Sequence, residues 1–315
     1  MLFRNKTLLA KIESPYGTDA VPTGTDAILT SNLRIQPYTG QTVSRDNDRS
    51  NLGGQSVINI NPNAIVEFDV ELAGAGTAGN APAWAPLLLA CGFAESDSSP
   101  TGTSKIYNLI STAFPGITLY FYHDGQRHKI IGGRGDMSCS LTRGEIPKMS
   151  FIFTGQYETP TAATPSGADV SDFISPIAVT NTNTPTFTMG GSPLVDLRAE
   201  SFNFALNNQV VPRNIINANE ISITDRGVTG GTVFEAVLPS TKDWFTDAFE
   251  SDSGVNLQAI NLVHGTVAGN ILEFSAPAVQ ATLNGQNDSE GIIVYDTGLN
   301  FTPVSGNDEI TITVR

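Results

Sequence analysis

The chain has 315 residues, 40% hydrophobic and only 15% charged, with 30 glycines and 18 prolines. That is enough for two ordinary domains with real cores, and it excludes wholesale disorder. Acids outnumber bases 31 to 17, a net charge of −14, which excludes a uniformly basic nucleic-acid grip and disfavours adhesion to an anionic membrane.

The longest apolar run surrounds Leu87, Leu88 and Leu89, far short of the roughly 20 residues of a spanning helix. No membrane insertion is therefore expected. The opening MLFRNKTLLAKIESPYG carries basic residues without an apolar run, so no Sec-type signal is expected either. Cys91 and Cys139 form no disulfide framework and no metal knuckle. A reducing cytoplasm suits them, and a single bridge between the two is left open.

In chain order, residues 32–38 (NLRIQPY) read as a strand feeding a long polar loop, 39–54, with Arg45, Asp46, Asp48 and Arg49. A short strand follows at 56–60. Residues 65–72 (IVEFDVEL) then alternate strictly. A strand of that period sets Glu67, Asp69 and Glu71 on one face and Val66, Phe68, Val70 and Leu72 on the other. Three like charges in a row repel slightly unless basic neighbours pair with them. Trp84, Leu87, Leu88 and Cys91 fall at helical spacing, with Gly92 as the stop. Longer loops are expected at 73–81 and 95–115. Strands at 117–122 and 127–131 flank Asp124-Gly125, a hairpin turn signal. Strands at 137–142 and 149–155 close this half. Residues 159–184, rich in Thr, Pro, Ala, Ser and Asn, read as a linker with one short strand around 173–179.

The same series then recurs. Residues 201–206 (SFNFAL) feed a loop, 207–219, with Arg213 and Asn214; a short strand follows at 220–224. Phe234-Glu235 to Leu238 repeats the spacing of Phe68-Asp69 to Leu72, which makes Glu235 the counterpart of Asp69. Ser240 can cap a helix whose Trp244, Phe245, Ala248 and Phe249 share a face, with Gly254 as its stop. Strands are expected at 257–264, 271–275, 279–283 and 292–298, and Thr297-Gly298 matches Thr154-Gly155. The only two tryptophans each open one of the helices. This ordered recurrence predicts an internal duplication: a first domain over 1–158, the linker over 159–184 and a second domain over 185–315. The fold class is mainly β with short helices, each unit a sheet covered by one helix.

Little in the chain suggests catalysis. His123 and His128 flank a turn with no third ligand nearby, so no metal is expected. There is no Gly-x-Ser-x-Gly, phosphate loop or His-Glu-x-x-His, so neither a catalytic residue nor a cofactor is assigned. Arg134-Gly135-Asp136 reads as a tight turn before a strand. Asp46-Asn47-Asp48 and residues 284–290 (NGQNDSE) lack calcium-loop spacing, and the second lies where a hairpin turn is expected.

Residues 11–35 (KIESPYGTDAVPTGTDAILTSNLRI) and the passage 125–155, around DGQRHKIIGGRGD and SLTRGEIPKMSFIFTG, resemble the major tail tube proteins of long-tailed, non-contractile (siphovirus-type) bacteriophages. The likeness is best over 8–158. It implies tandem β-sandwich or barrel-like domains, each with a flanking helix, in a structural protein that is not an enzyme. Copies would form rings stacked into a tube, placed in the virion tail and assembled in the host bacterial cytoplasm. Partners would be other copies of the chain, the tape measure protein, tail terminator or neck proteins and distal tail proteins, with double-stranded DNA in transient passage. Most relatives carry one domain and form hexamers, so a two-domain chain would form a trimer with six quasi-equivalent domains per ring. On this reading Glu67, Asp69, Glu71 and Glu235 line the lumen. Arg45, Asp46, Asp48, Arg49, Arg213 and Asn214 reach the next ring. Trp84, Leu87, Leu88, Trp244, Phe245 and Phe249 pack the helices onto the core. The alternatives are a tail decoration or adhesin-like surface- or carbohydrate-binding β protein, which needs clustered exposed aromatics, and a hydrolase working on carboxylates alone.

Overall fold

The computed structural model describes residues 2, 4–98, 102–165, 167–191, 194–250, 252 and 254–315. The first half holds β1 (Lys6–Ile12), β2 (Ala27–Ile28), β3 (Ser31–Ser44), β4 (Val57–Glu71), α1 (Ala85–Ala90), β5 (Phe93–Asp97), β6 (Lys105–Leu109), β7 (Ile117–His123), β8 (Gln126–Thr142) and β9 (Lys148–Tyr157). After it come β10 (Thr161–Ala162), β11 (Thr186–Gly190), β12 (Val195–Asp196), β13 (Ala199–Ala205), β14 (Val210–Ile215), β15 (Ala218–Ile223) and β16 (Thr229–Glu235). A π-helical turn, Phe245–Phe249, precedes β17 (Leu257–His264), β18 (Leu272–Ser289), β19 (Ile292–Phe301) and β20 (Thr311–Val314). The chain is mainly β, as its composition led one to expect.

Eight of these strands make one antiparallel sheet in the order β3-β4-β9-β8-β13-β16-β19-β18. The order β3-β4-β9-β8 of the first half recurs as β13-β16-β19-β18 in the second. Phe68 on β4 faces Phe151 on β9, and Phe234 on β16 faces Tyr295 on β19. Aligned on these pairs, Thr154 matches Gly298, so the two Thr-Gly pairs do not occupy equivalent places. Thr154 points outward while Thr297 is buried, the change of face that a one-residue slip produces.

A second layer covers one face. In the first half β2-β1-β7 joins the leading end of β8. In the second half β12-β11-β17 joins the leading end of β18, whose other edge continues through β20 to β6 and β5. β8 and β18 therefore serve both layers. From the sequence, two strands are expected in place of each, 127–131 with 137–142 and 271–275 with 279–283. In β8 the pairing with β9 shifts between Ile131 and Arg134, where Gly132 takes φ +62°. Such a bulge bends a strand, so one strand can turn the corner between layers.

The buried alternates form one continuous core through both halves. Phe68 stacks on Phe151 and Phe153 at centroid distances of 5.6 and 6.0 Å; Phe234 meets Trp244 at 5.3 Å and Tyr295 at 5.8 Å. Each such side chain contributes roughly 1.5–3 kcal/mol relative to leaving it in water. Further ties join the halves. β6 pairs with β20, the Gly76 N–H donates to the Gly269 carbonyl at 2.9 Å, and Arg226, itself paired with Glu309 (2.9 Å), donates to the Ile110 carbonyl (2.8 Å).

Several expected elements differ. Residues 39–44 and 57–60, expected as loop and a separate short strand, continue β3 and β4 as one long hairpin. Residues 207–219, expected as loop, contain β14 and part of β15. The expected loop 95–115 holds β5 and β6. Residues 173–179 form no strand; Val179 bonds backbone to backbone with residues 144 and 145, and the Phe173 N–H donates to the Val170 carbonyl. Residues 284–289 continue β18, and the turn falls on Glu290-Gly291, with φ +54° and +88°. Asp124-Gly125 is the turn expected, with φ +47° and +92°, the left-handed pair a tight two-residue hairpin needs.

Candidate functional site

The face of the eight-stranded sheet away from the core is the surface of interest. On β4 the alternation holds. Val66, Phe68, Val70 and Leu72 are at most 2% exposed, and Glu67, Asp69 and Glu71 point the other way, half-buried. Their neighbours come from distant parts of the chain. Arg34 on β3 lies across from Glu67, and Lys148 on β9 across from Glu71. Asp69 accepts hydrogen bonds from Asn32 Nδ2 (2.6 Å) and Ser150 Oγ (2.7 Å). The like-charge repulsion of the comb is thus relieved by two cations and two neutral donors. Along the same face follow the exposed Ile152 of β9, Arg134, Asp136, Ser138 and Ser140 of β8, Asn203 of β13, and Asp296 and Asn300 of β19, a mostly polar surface with more acids than bases. Burial pushes the Asp136 carboxyl up, against the N–H groups of Asn208 and Met137 that hold its charged form. Glu235 is on this face too, at the end of β16, where it pairs with Arg198 at 3.4 Å. Its surroundings therefore differ from those of Asp69.

Both ends of the sheet are open strand edges. Among the described residues β3 pairs only with β4, and β18 beyond Gln280 pairs only with β19. At the β3 edge a groove of about 530 Å³ is lined by Arg4, Lys6, Thr30, Asn32, Leu33 and Arg34. Lys6 Nζ donates to the Leu33 carbonyl at 2.9 Å. At the β18 edge stand Asp288 and Glu290, both exposed.

The two long hairpins occupy matching places but behave differently. β14 and β15 lie on the first half, across β8 and β9. Tyr16 Oη accepts from the Ile221 N–H (2.8 Å), Arg134 donates to the Ile221 carbonyl (2.6 Å), and Gln156 donates to the Asn219 carbonyl (2.6 Å). Arg134 also lies over the Tyr16 ring at 4.3 Å and donates to the Phe114 carbonyl at 2.6 Å. Arg134-Gly135-Asp136, read as a tight turn, is therefore strand, and its arginine is a clamp. Arg213 pairs with Glu220 at 3.4 Å, and Asn214 faces Asn219 in the hairpin. The outer β3–β4 hairpin carries Arg45, Asp46, Asp48 and Arg49, all exposed. Its tip is closed by reciprocal hydrogen bonds of 2.9 Å between Asn47 and Gln55.

The helix residues divide. Trp84, Leu87 and Leu88 are buried in the core, and Trp84 Nε1 donates to the Ala73 carbonyl at 2.8 Å. Trp244 is buried, but Phe245 is 41% exposed and Phe249 only half-buried. The cause is the π-helical turn, closed by the Glu250 N–H on the Phe245 carbonyl. With more residues per turn it aligns Trp244 with Ala248, while Phe245 and Phe249 meet Tyr295 at 5.8 and 6.1 Å, Phe249 packing on the core from its margin. Its cap is Asp243, not Ser240: Asp243 Oδ1 accepts from the N–H groups of Phe245 and Thr246 at 3.1 and 3.3 Å.

No cluster of metal-ligating side chains occurs among the described residues. His123 and His128 each pack against Phe121. His264 is buried between Thr184 Oγ1 (2.9 Å from Nδ1) and the Ile177 carbonyl (3.2 Å from Nε2), and burial lowers its pKa. Cys91 and Cys139 are free buried thiols whose pKa values burial raises. Among the described residues no helix is long and apolar enough to cross a membrane.

A model of the family described as phage tail tube protein matches residues 4–315. No curated protein matches the chain.

Proposed function

The chain belongs to the phage tail tube protein family, and on that premise we propose that three copies close into a ring, that rings stack into the tail tube, and that the outer face of the eight-stranded sheet lines its lumen. The observation that carries this is a sheet with a repeating strand order, a polar, net acidic face and an open edge at each end. Open edges invite pairing, and closure into a barrel satisfies their backbone groups. Strand spacing and tilt give the ring size. Sixteen strands, two copies, make a barrel about 32 Å across between backbones, and twenty-four make one about 48 Å across. Inner side chains take up roughly 10 Å of either, so two copies leave a bore scarcely wider than a double helix of about 20 Å. Three copies leave room for the duplex with its hydration.

Glu67, Asp69 and Glu71 then face the passing DNA. Carboxylates beside a polyanion disfavour adhesion, while Arg34 and Lys148 keep the wall from repelling itself. The exposed outer β3–β4 hairpin, with Arg45, Asp46, Asp48 and Arg49, is the contact to the next ring. Arg213 and Asn214, on the clamped β14–β15 hairpin, contribute from beside it. The tube so formed meets tape measure, neck and distal tail proteins, and is built in the host cytoplasm. No catalysis is assigned to it. The adhesin alternative needs exposed aromatic clusters, and both tryptophans are buried. Negative-stain imaging of the concentrated protein tests the proposal. Rings and hollow tubes are expected, whereas a preparation that stays monomeric at every concentration contradicts it.

A further inference from the structure

We propose that Asn284 is a self-modification site: in the unassembled chain its carboxamide is lost through attack by the Gly285 nitrogen, which leaves aspartate or isoaspartate in β18. Asn284-Gly285 is the one Asn-Gly pair in the sequence. Glycine has no Cβ to hinder its own nitrogen as the preceding side chain approaches. A regular strand opposes that approach, because its extended backbone holds each side chain out of the pleat and away from the next N–H. At this place the ladder fails. The register of β18 on β19 sets Leu283 against Thr297 and then Gly285 against Asp296, so Asn284 is the extra residue of a bulge and faces no residue of β19. Among the described residues β18 has no second strand neighbour here, and Asn284 is exposed. Packing does not explain the glycine. A Cβ on Gly285 meets open space, and its φ lies outside the left-handed region.

The reaction needs only water. The Gly285 nitrogen gives up its proton and bonds to Asn284 Cγ, and a five-membered succinimide closes. The carboxamide nitrogen takes up a proton and leaves as ammonia. Water then opens the ring. Addition at Cγ breaks the new bond and gives aspartate; addition at the Asn284 backbone carbonyl breaks the old peptide bond and gives isoaspartate, whose chain runs through Cγ and is one carbon longer. One water enters and one ammonia leaves. Both products act on the same contact. Asn284 Nδ2 donates to Asp296 Oδ1 at 3.4 Å, and Asp296 stands across from Gly285. A carboxylate in place of the amide turns that bond into a like-charge contact, close to the exposed Asp288 and Glu290. Isoaspartate also shifts residues 285–289 along β19, their only strand partner, and a shifted register exchanges the faces of the strand. On the tube reading above, on which this consequence rests, that part of β18 is an edge the closed ring must cover, so modified copies are left out of the ring.

The test is peptide mass spectrometry of the unassembled wild-type chain held for days in mildly alkaline buffer. The peptide carrying Asn284 should gain one mass unit and become a substrate for isoaspartyl methyltransferase. Gly285→Ala should slow that gain about tenfold or more while leaving the circular dichroism unchanged. A folded chain that stays unmodified at Asn284 while the urea-unfolded chain reacts overturns the site, because the fold then protects it. Equal rates in Gly285→Ala and wild type overturn the route through the Gly285 nitrogen. Assembly is scored separately. When an aged sample is concentrated, the modified fraction should be several-fold higher in the soluble remainder than in the pelleted tubes. Equal fractions overturn the exclusion from the ring and leave the modification site standing. Freshly prepared wild-type protein that forms no tubes overturns the tube reading, and with it the exclusion, but not the chemistry at Asn284.

Discussion

Replacing Phe204 with alanine probes whether the two halves form one cooperative body. Phe204 is 1% exposed and sits on β13 between Cys139 of the first half and Gly230 of its own. Its ring lies 5.8 Å from Phe274, 6.1 Å from Phe202 and 6.5 Å from Phe301. The neighbours are strands hydrogen-bonded on both sides and cannot collapse into the space, so the upper part of the usual cost, about 3–5 kcal/mol, is expected. Unfolding entropy of roughly 2.1 cal/mol/K per residue gives about 0.66 kcal/mol/K for the whole chain. The melting temperature should therefore drop by about 5–8 °C. Differential scanning calorimetry should show a single endotherm, shifted as a whole, because β8–β13, β6–β20 and the clamped hairpin tie the halves together. Leu194→Ala, at a position 45% exposed, serves as the control without a shift. Two resolved endotherms, only one of them moved by Phe204→Ala, would refute the reasoning.

Gly74→Ala should cost about 1–3 kcal/mol in urea unfolding. A Cβ there lies 2.2 Å from the Gly269 carbonyl oxygen, which is backbone and cannot yield, whereas Gly54→Ala meets open space and should be neutral. Equal midpoints for the two variants contradict that. His264 gains its proton near pH 6.5 in the unfolded chain and only at lower pH when folded, because burial disfavours the cation. Stability should be full above about pH 6.5 and decline as the pH falls below it. His128, lowered by burial and by the His123 charge, titrates in the same direction, so His264→Gln should reduce the decline without removing it. An unchanged pH profile counts against the assignment. For the comb, Glu67→Lys, Asp69→Lys and Glu71→Lys combined should turn tubes that ignore double-stranded DNA into tubes that retain it at low salt and release it at high salt. Equal retention by wild-type and variant tubes in a gel-shift assay contradicts a DNA-facing comb.

What the sequence disclosed, and what it concealed, follows from the range of the interactions. The β4 comb and the Asp124-Gly125 hairpin are written in consecutive residues, because a strand's faces alternate with every side chain. The buried Trp84, Leu87 and Leu88 are legible for the same reason, at helical spacing. Arg34 and Lys148 beside the comb are not legible, since only the register of β3 and β9 against β4 brings them there. The clamp of Tyr16 and Arg134 on Ile221 joins segments more than 80 residues apart, and the Arg-Gly-Asp spelling pointed toward a turn instead. The expected stop of a strand at 131 does not occur because Gly132, at φ +62°, lets β8 bend without ending. Phe245 was assigned to the buried face on 3.6-residue periodicity, which a π-helical turn does not keep.

The central claim is that the sheet's polar face becomes the inner wall of a tube. A cryo-electron microscopy reconstruction of tubes assembled from the purified chain tests it most directly. The account predicts three copies per ring, eight strands from each lining the bore, and the β4 carboxylates on the inner surface. A tube whose bore is lined by other strands, with Glu67, Asp69 and Glu71 on its outer wall, would contradict it.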